Sequence, residues 1–226
     1  MQRHFDEQIQ ELTQRLVLMG RLADSMIGLS LRALMERDEA YCAEIEKKED
    51  EVDRLQLEVD DRAIKLTALQ QPVGTDVRFL FMASRIATEL ERIADQAVNI
   101  SQNAHSLLQA PPLKPLIDLP IMAEVAQRMV GNAIEALVKR DVALADLVLQ
   151  EEEKIDAFRD QIFRELLTYM MADPSTIPRA LALILISRNL ERVGDHATNV
   201  AEEVVYLVKG RDVRHTAAQG PGRGTA

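Results

Sequence analysis

Carboxylates recur at helical spacing in this chain. The segment LERIADQAVNI at 90–100 returns as LERVGDHATNV at 190–200, one hundred residues later. On an α-helix each residue turns about 100°, so Glu91, Asp95 and Asn99 share one narrow stripe, and Glu191, Asp195 and Asn199 share its copy. Two more ExxxD pairs, Glu49 with Asp53 and Glu152 with Asp156, sit at matching places upstream of each stripe. Oxygen donors of this kind suit hard cations such as Mg, Mn, Ca or oxidised iron. Fe, Zn, Mn and Mg are all candidates, and no residue decides among them. The competing reading is a solvated or partner-binding acidic face with Arg92 and Arg192 as internal counter-charges. Two pairs repeated in both halves favour a cation site, although duplication alone would also copy an inert face.

The stripes need helices to position them. With Ile86, Leu90, Ile93, Ala97 and Ile100 as the apolar arc, Glu91 to Asn99 are expected to point away from their own core, and the same holds for Glu191 to Asn199 against Ile186, Leu190, Val193, Ala197 and Val200. Glu49–Asp53 and Glu152–Asp156 border the apolar arcs of the preceding helices, so antiparallel neighbours would face four carboxylates toward one another. Such a group repels unless a cation or an arginine neutralises it. Ala94 and Gly194 occupy one position, which predicts that something approaches the helix closely there.

Glycine and proline punctuation divides the chain into six helical stretches: 5–36, 39–69, 76–108, 121–139, 142–171 and 177–209. QPVGTD at 71–76 and ADPSTIP at 172–178 are equivalent breaks, with Pro178 tolerated in a first helical turn. QAPPLKPLIDLP at 109–120 holds four prolines and reads as a semi-rigid connection. ALMERDEAYCAEIEKKEDEVD at 33–53 aligns without a gap on ALVKRDVALADLVLQEEEKID at 136–156, pairing Asp38 with Asp141 and Asp53 with Asp156. The expected fold is therefore all-α, two tandem homologous three-helix bundles made by internal duplication: 1–109, a Pro-rich connection at 110–120, 121–209, and a flexible tail at 210–226.

Composition narrows the function. A formal net charge of −10 without a tryptophan argues against a nucleic-acid surface. A single cysteine, Cys42, rules out an internal disulfide and fits a reducing compartment. The longest apolar run, ALALILI at 180–186, is too short to span a bilayer, and the N-terminus lacks the apolar core of a signal peptide, so a cytoplasmic protein is expected. There is no nucleophile beside a base, no Gly-rich phosphate loop and no ExxH of a di-metal bundle enzyme, which points to binding rather than catalysis. His196 reads as a surface histidine, because Gln96 takes its place in the first half.

QPVGTDVR at 71–78 followed by LERIADQAVNI, with LERVGDHATNVAEEVVYLVKG at 190–210, resembles the PhoU family of phosphate-uptake regulators along nearly the whole chain. The resemblance implies a cytoplasmic, non-catalytic negative regulator of the phosphate-starvation response. Its implied partners are the ATPase subunit of the phosphate ABC transporter and a membrane sensor histidine kinase, with membrane contact only through them at the inner membrane. It further implies metal clusters on the E(D)xxxD pairs, here Glu49–Asp53, Glu91–Asp95, Glu152–Asp156 and Glu191–Asp195. A homodimer is the expected assembly.

Overall fold

The computed structural model describes residues 2–210, with side chains from Phe5 onward. The tail expected at 210–226 lies outside the described residues beyond Gly210. Six α-helices and one 3-10 turn make up the order: α1 Gln2–Glu36, α2 Ala40–Gln70, α3 Thr75–Leu108, α4 Asp118–Lys139, α5 Val142–Ala172, the turn Pro174–Thr176, and α6 Ile177–Lys209. No strand occurs among the described residues.

The two halves turn their first corner alike. Arg37 and Arg140 adopt left-handed backbone with φ of 57° and 52°, and the aspartate after each folds back onto the next helix. Asp38 Oδ1 accepts from the Ala40 amide at 2.9 Å, and Asp141 Oδ1 accepts from Ala143 and Leu144 at 2.9 and 3.2 Å. This satisfies amides that the first helical turn leaves without partners. The duplicated Arg-Asp dipeptide is thus a helix-stop and helix-start signal in two residues.

α4 begins three residues earlier than the apolar pattern suggests, so Pro120 belongs to its first turn rather than to the connection. The first helical turn has no intrahelical use for the missing N–H, and proline costs nothing there. The remaining connection is fastened to both halves. Arg37 donates to the carbonyls of Leu108 and Ala110 at 2.7 and 2.8 Å, Arg179 donates to that of Pro111 at 3.1 Å, and Lys114 pairs with Glu165.

Each half forms its own three-helix bundle, and the bundles pack against each other through α3 with α6 and α1 with α4. The helices α2, α3, α6 and α5 lie side by side in that order, with α1 and α4 beneath them. Glu89 meets His196 and Arg85 meets Glu203, so α3 and α6 run antiparallel. Contact is tight at α1–α4, where a β-carbon on Gly20 would come within 2.6 Å of Ile134 Cγ1. The apolar arcs read from sequence, Ile86 to Ile100 and Ile186 to Val200, are buried, and the buried side chains of both halves form one continuous core.

Candidate functional site

Between α2 and α3 the first set of carboxylates gathers as the repeat requires. Glu49, Glu91 and Asp95 are half-buried and Asp53 is exposed. Burial, followed by the charges of Asp53 and Asp95, pushes Glu49 up from its ordinary value. Asp53 is raised by burial and by Asp95, and Glu91 by burial and then by Asp95 and Asp53. Glu49, Asp53 and Glu91 therefore each feel the opposite helix as negative charge. The helical wheel gets the direction right and the exposure wrong. α3 has neighbours on three sides, α1, α2 and α6, so a side chain turned away from the core centre meets a flanking helix before it meets water.

The second set repeats the geometry with one addition. Burial and the charges of Asp195 and Asp156 raise Glu152, and burial with Glu191 raises Asp195. Here Arg159 enters from α5, its Nη1 lying 2.6 Å from Glu191 Oε1 and 3.4 Å from Asp156 Oδ1. Nothing in the stripe pattern predicted it. The alignment that pairs Asp53 with Asp156 places Gln56 opposite Arg159, and Gln56 instead donates to Thr88 Oγ1 at 3.4 Å. A break in the repeat was the available signal.

The counter-charge role expected of Arg92 and Arg192 is met only in part: the Arg92 charge acts to lower Glu91 and Glu89, though at Glu91 burial and the neighbouring aspartates outweigh it. Both arginines are exposed and neither forms an ion pair within 4.0 Å among the described residues. Their side chains leave the helix on the solvent side, while the acids turn toward α2 or α5.

Along the α3–α6 seam, Glu89 Oε2 lies 2.8 Å from His196 Nδ1 and accepts from Asn199 Nδ2 at 2.9 Å. The His196 side chain is 12% exposed, so it is a seam residue and not the surface histidine expected. Burial alone would raise Glu89, but the hydrogen bonds from His196 and Asn199 outweigh it and hold the carboxyl below its ordinary value. Asn199 is therefore turned toward α3, whereas its counterpart Asn99 is half-buried and accepts from Asn103 through its backbone carbonyl at 2.7 Å. The repeat counterparts of Glu89, His196 and Asn199 are Asn189, Gln96 and Asn99, so the other end of the seam is built without charge. Arg85 extends the charged end, reaching Glu203 Oε1 at 3.0 Å, with the glutamate side chain only 4% exposed.

The close approach foreseen at Ala94 and Gly194 comes from within each bundle. A β-carbon on Gly194 would lie 3.0 Å from Ile155 Cδ1 and 3.2 Å from its Cγ2. Val52 stands where Ile155 does, so the smaller residue on α2 leaves room for the methyl of Ala94.

The donor set in both clusters is oxygen alone, which fits a hard cation chemically and suits zinc least. Mutual repulsion in the first cluster is the electrostatic condition under which a cation is welcome. Among the described residues, no three His, Cys, Asp or Glu side chains stand together closely enough to hold a metal ion as they are placed.

A family model described as the PhoU domain matches twice, at residues 16–104 and 119–204. The chain belongs to the PhoU family. The two PhoU matches coincide with the two three-helix bundles and leave the connection between them. A phosphate-specific transport system accessory protein PhoU homolog from Pseudomonas putida is 32% identical over 93% of this chain and 83% of its own length. Another of the same description, from Zymomonas mobilis, is 35% identical over 92% of this chain and 88% of its own. The crystal structure of PhoU from Pseudomonas aeruginosa superposes with a TM-score of 0.88 at 31% identity, covering 92% of this chain and 100% of that one. The phosphate transport system regulatory protein PhoU from Streptococcus pneumoniae reaches 0.84 at 26% identity, covering 92% and 99%. The PhoU relatives are named accessory or regulatory proteins of phosphate transport, not enzymes.

Proposed function

We propose that this chain is a non-catalytic adaptor that holds the phosphate-starvation response off when phosphate is ample. The observation that carries the reading is the end-to-end match of both repeats to accessory proteins of phosphate-specific transport. Its partners in this reading are the ATPase subunit of the phosphate ABC transporter and the membrane sensor histidine kinase. No helix of the described residues is long and apolar enough to cross a membrane, so the adaptor works at the inner face of the membrane through those partners, as a homodimer.

Glu49, Asp53, Glu91, Asp95 and Asn99 would hold a hard cation in the first half, and Glu152, Asp156, Glu191 and Asp195 in the second, where Asn199 is turned instead toward Glu89 of the seam. A bound cation would supply charge neutralisation and a cross-link between neighbouring helices. The chain's own contribution is to present paired carboxylates from two helices, so that binding would stiffen the α2–α3 or α5–α6 pair on the surface offered to partners. Because only deprotonated ligands bind, affinity falls with acid.

Deleting the gene and following a starvation-responsive reporter in ample phosphate tests the regulatory reading. The reporter is expected to switch on. A silent reporter, together with purified protein that binds neither ATPase subunit nor kinase, ends it.

A further inference from the structure

The layer formed by α2, α3, α6 and α5 is covered by α1 and α4 on one side only; on the other, no helix of the described residues packs against it. Near the middle of that open face stand Arg92, Arg188 and Arg192, all exposed and none in an ion pair within 4.0 Å among the described residues. Elsewhere arginines do find acids, as Arg62 finds Glu11 at 2.8 Å and Arg128 finds Glu151 at 2.8 Å. In a chain of net charge −10, three arginines left unpaired on one face are not short of local carboxylates. None of the three closes an ion pair with a described acid, although the Arg92 charge acts to lower Glu89 and Glu91.

The same face carries an apolar residue toward each end. Phe81 is 64% exposed and its repeat counterpart Leu181 is 49% exposed. Each lies five helical turns before an asparagine of the stripe, Asn99 or Asn199, and so in the same column. The contacts of Glu89 with His196 and of Arg85 with Glu203 set the antiparallel register. That register places the crossing near Ile93 and Val193, with Phe81 and Leu181 about 18 Å to either side of it at 1.5 Å per residue. The three arginines lie within about 9 Å of the crossing along the helices by the same measure.

We propose that this open face docks a two-fold symmetric protein dimer. Acidic side chains near the partner's axis would meet Arg92, Arg188 and Arg192, and two equivalent apolar pockets would take Phe81 and Leu181. The internal repeat sets like residues at like distances from a pseudo-two-fold axis, and a partner with paired sites uses both copies at once. A face of two helices about 36 Å long and 20 Å wide offers roughly 700 Å², close to the ~800 Å² that each partner buries in a standard interface. A second copy of this chain is the poorer occupant, because it would set one arginine centre against another.

The inference rests on the adaptor reading and assigns it a surface and a stoichiometry. The test titrates the full chain with the purified ATPase subunit in its ATP-bound dimeric form, and with the dimeric cytoplasmic part of the sensor kinase, reading affinity by calorimetry and mass by light scattering. For the partner that binds, one chain per two partner subunits is expected. The triple variant Arg92→Glu, Arg188→Glu, Arg192→Glu should weaken binding by about 100-fold, with added salt weakening the wild type in the same direction. Phe81→Asp with Leu181→Asp should cost about tenfold or more. Helicity and Tm of both variants should match the wild type, since all five side chains are exposed. Unchanged binding by the triple variant, or one chain per partner subunit, overturns the inference and leaves the adaptor reading standing. Loss of the chain's own dimer in the triple variant would make the face a self-contact and also overturn it. Wild-type protein that binds neither probe fails the adaptor reading, and this inference with it.

Discussion

In the first half, Glu49, Asp53, Glu91 and Asp95 stand together with only the neutral Gln56 at the place where, in the second half, Arg159 reaches Glu191 and Asp156. The two clusters share ligand types, helix positions and a repeat origin. They differ in charge balance. A guanidinium is permanently charged and fills part of the role a metal would take, so a cation entering the second cluster must compete with it. Duplication supplied two copies of a carboxylate cluster, and the difference between Gln56 and Arg159 gives them different charge balance.

The comparison is broken most directly by removing ligands. Glu91→Ala with Asp95→Ala should abolish Mn²⁺ binding in the first half, followed by calorimetric titration, while leaving far-UV circular dichroism unchanged and stability within about 1 kcal/mol, because partly exposed carboxylates contribute little. Unaltered Mn²⁺ binding in this variant would remove the first cluster from consideration. Exchanging the distinguishing residues comes next. Arg159→Gln should raise second-half Mn²⁺ affinity by about tenfold, a shift of ~1.4 kcal/mol, and lower stability in metal-free buffer by about 1 kcal/mol after allowance for solvent screening. Gln56→Arg should weaken the first site; equal affinities in all three proteins would mean that the arginine has no bearing on cations.

Packing around the clusters offers a further test. Gly194→Ala sets a methyl against Ile155, and the strain of about 1–3 kcal/mol exceeds the ~1 kcal/mol gained in helix propensity. Combining it with Ile155→Val recreates the Ala94–Val52 pair of the first half and should recover about 1 kcal/mol in a double-mutant cycle of denaturant melts. Purely additive losses would show that the two bundles are not interchangeable at this contact.

The smallest effect is in pH. Glu49, Asp53, Glu91, Glu152 and Asp195 are all raised, so the folded chain holds more protons than the unfolded chain just above their ordinary values of 4.5 and 3.8. Their repulsion is relieved as pH falls through the raised values, and stability contributed by these groups rises there. Glu89 has the opposite sign: its contribution is complete above 4.5 and is lost as pH falls through its lowered folded value. In metal-free buffer, Tm should climb by a degree or so on mild acidification toward about pH 5 and turn down below the ordinary carboxylate range. A monotonic fall from neutral pH would contradict the raised values.

The helices, their breaks and the duplication were legible because local chemistry writes them: Gly74 at φ 61°, the Arg-Asp corners, and proline in first turns. The acidic stripes were legible as stripes. Their half-buried setting was not, since a helical wheel knows nothing of α2 or α6 lying alongside α3. Arg92 and Arg192 are adjacent to the acids in sequence but turn to the other side, whereas the arginine that does pair comes from α5. The Glu89–His196 contact joins residues 107 apart in the chain and departs from the repeat at both positions. Departures from the repeat, at Gln56/Arg159, Asn189/Glu89 and Gln96/His196, marked the long-range contacts at the two clusters and the charged end of the seam that the pattern of the repeat itself concealed.

The continuous core described for the two bundles bears on how the chain unfolds. Because α3 and α6 pack against each other and share one continuous core with α1 and α4, losing one half strips apolar surface from the other, and the halves gain their stability jointly. The repeats should melt together, in a single calorimetric transition whose heat matches its van't Hoff enthalpy, rather than as two independent modules. A half produced by itself would expose the apolar surface that α3 or α6 buries in the seam and would pair with another copy to cover it. The gene duplication is in this sense closed: what began as two equal units has become one cooperative folding unit, and neither can be lost without the other.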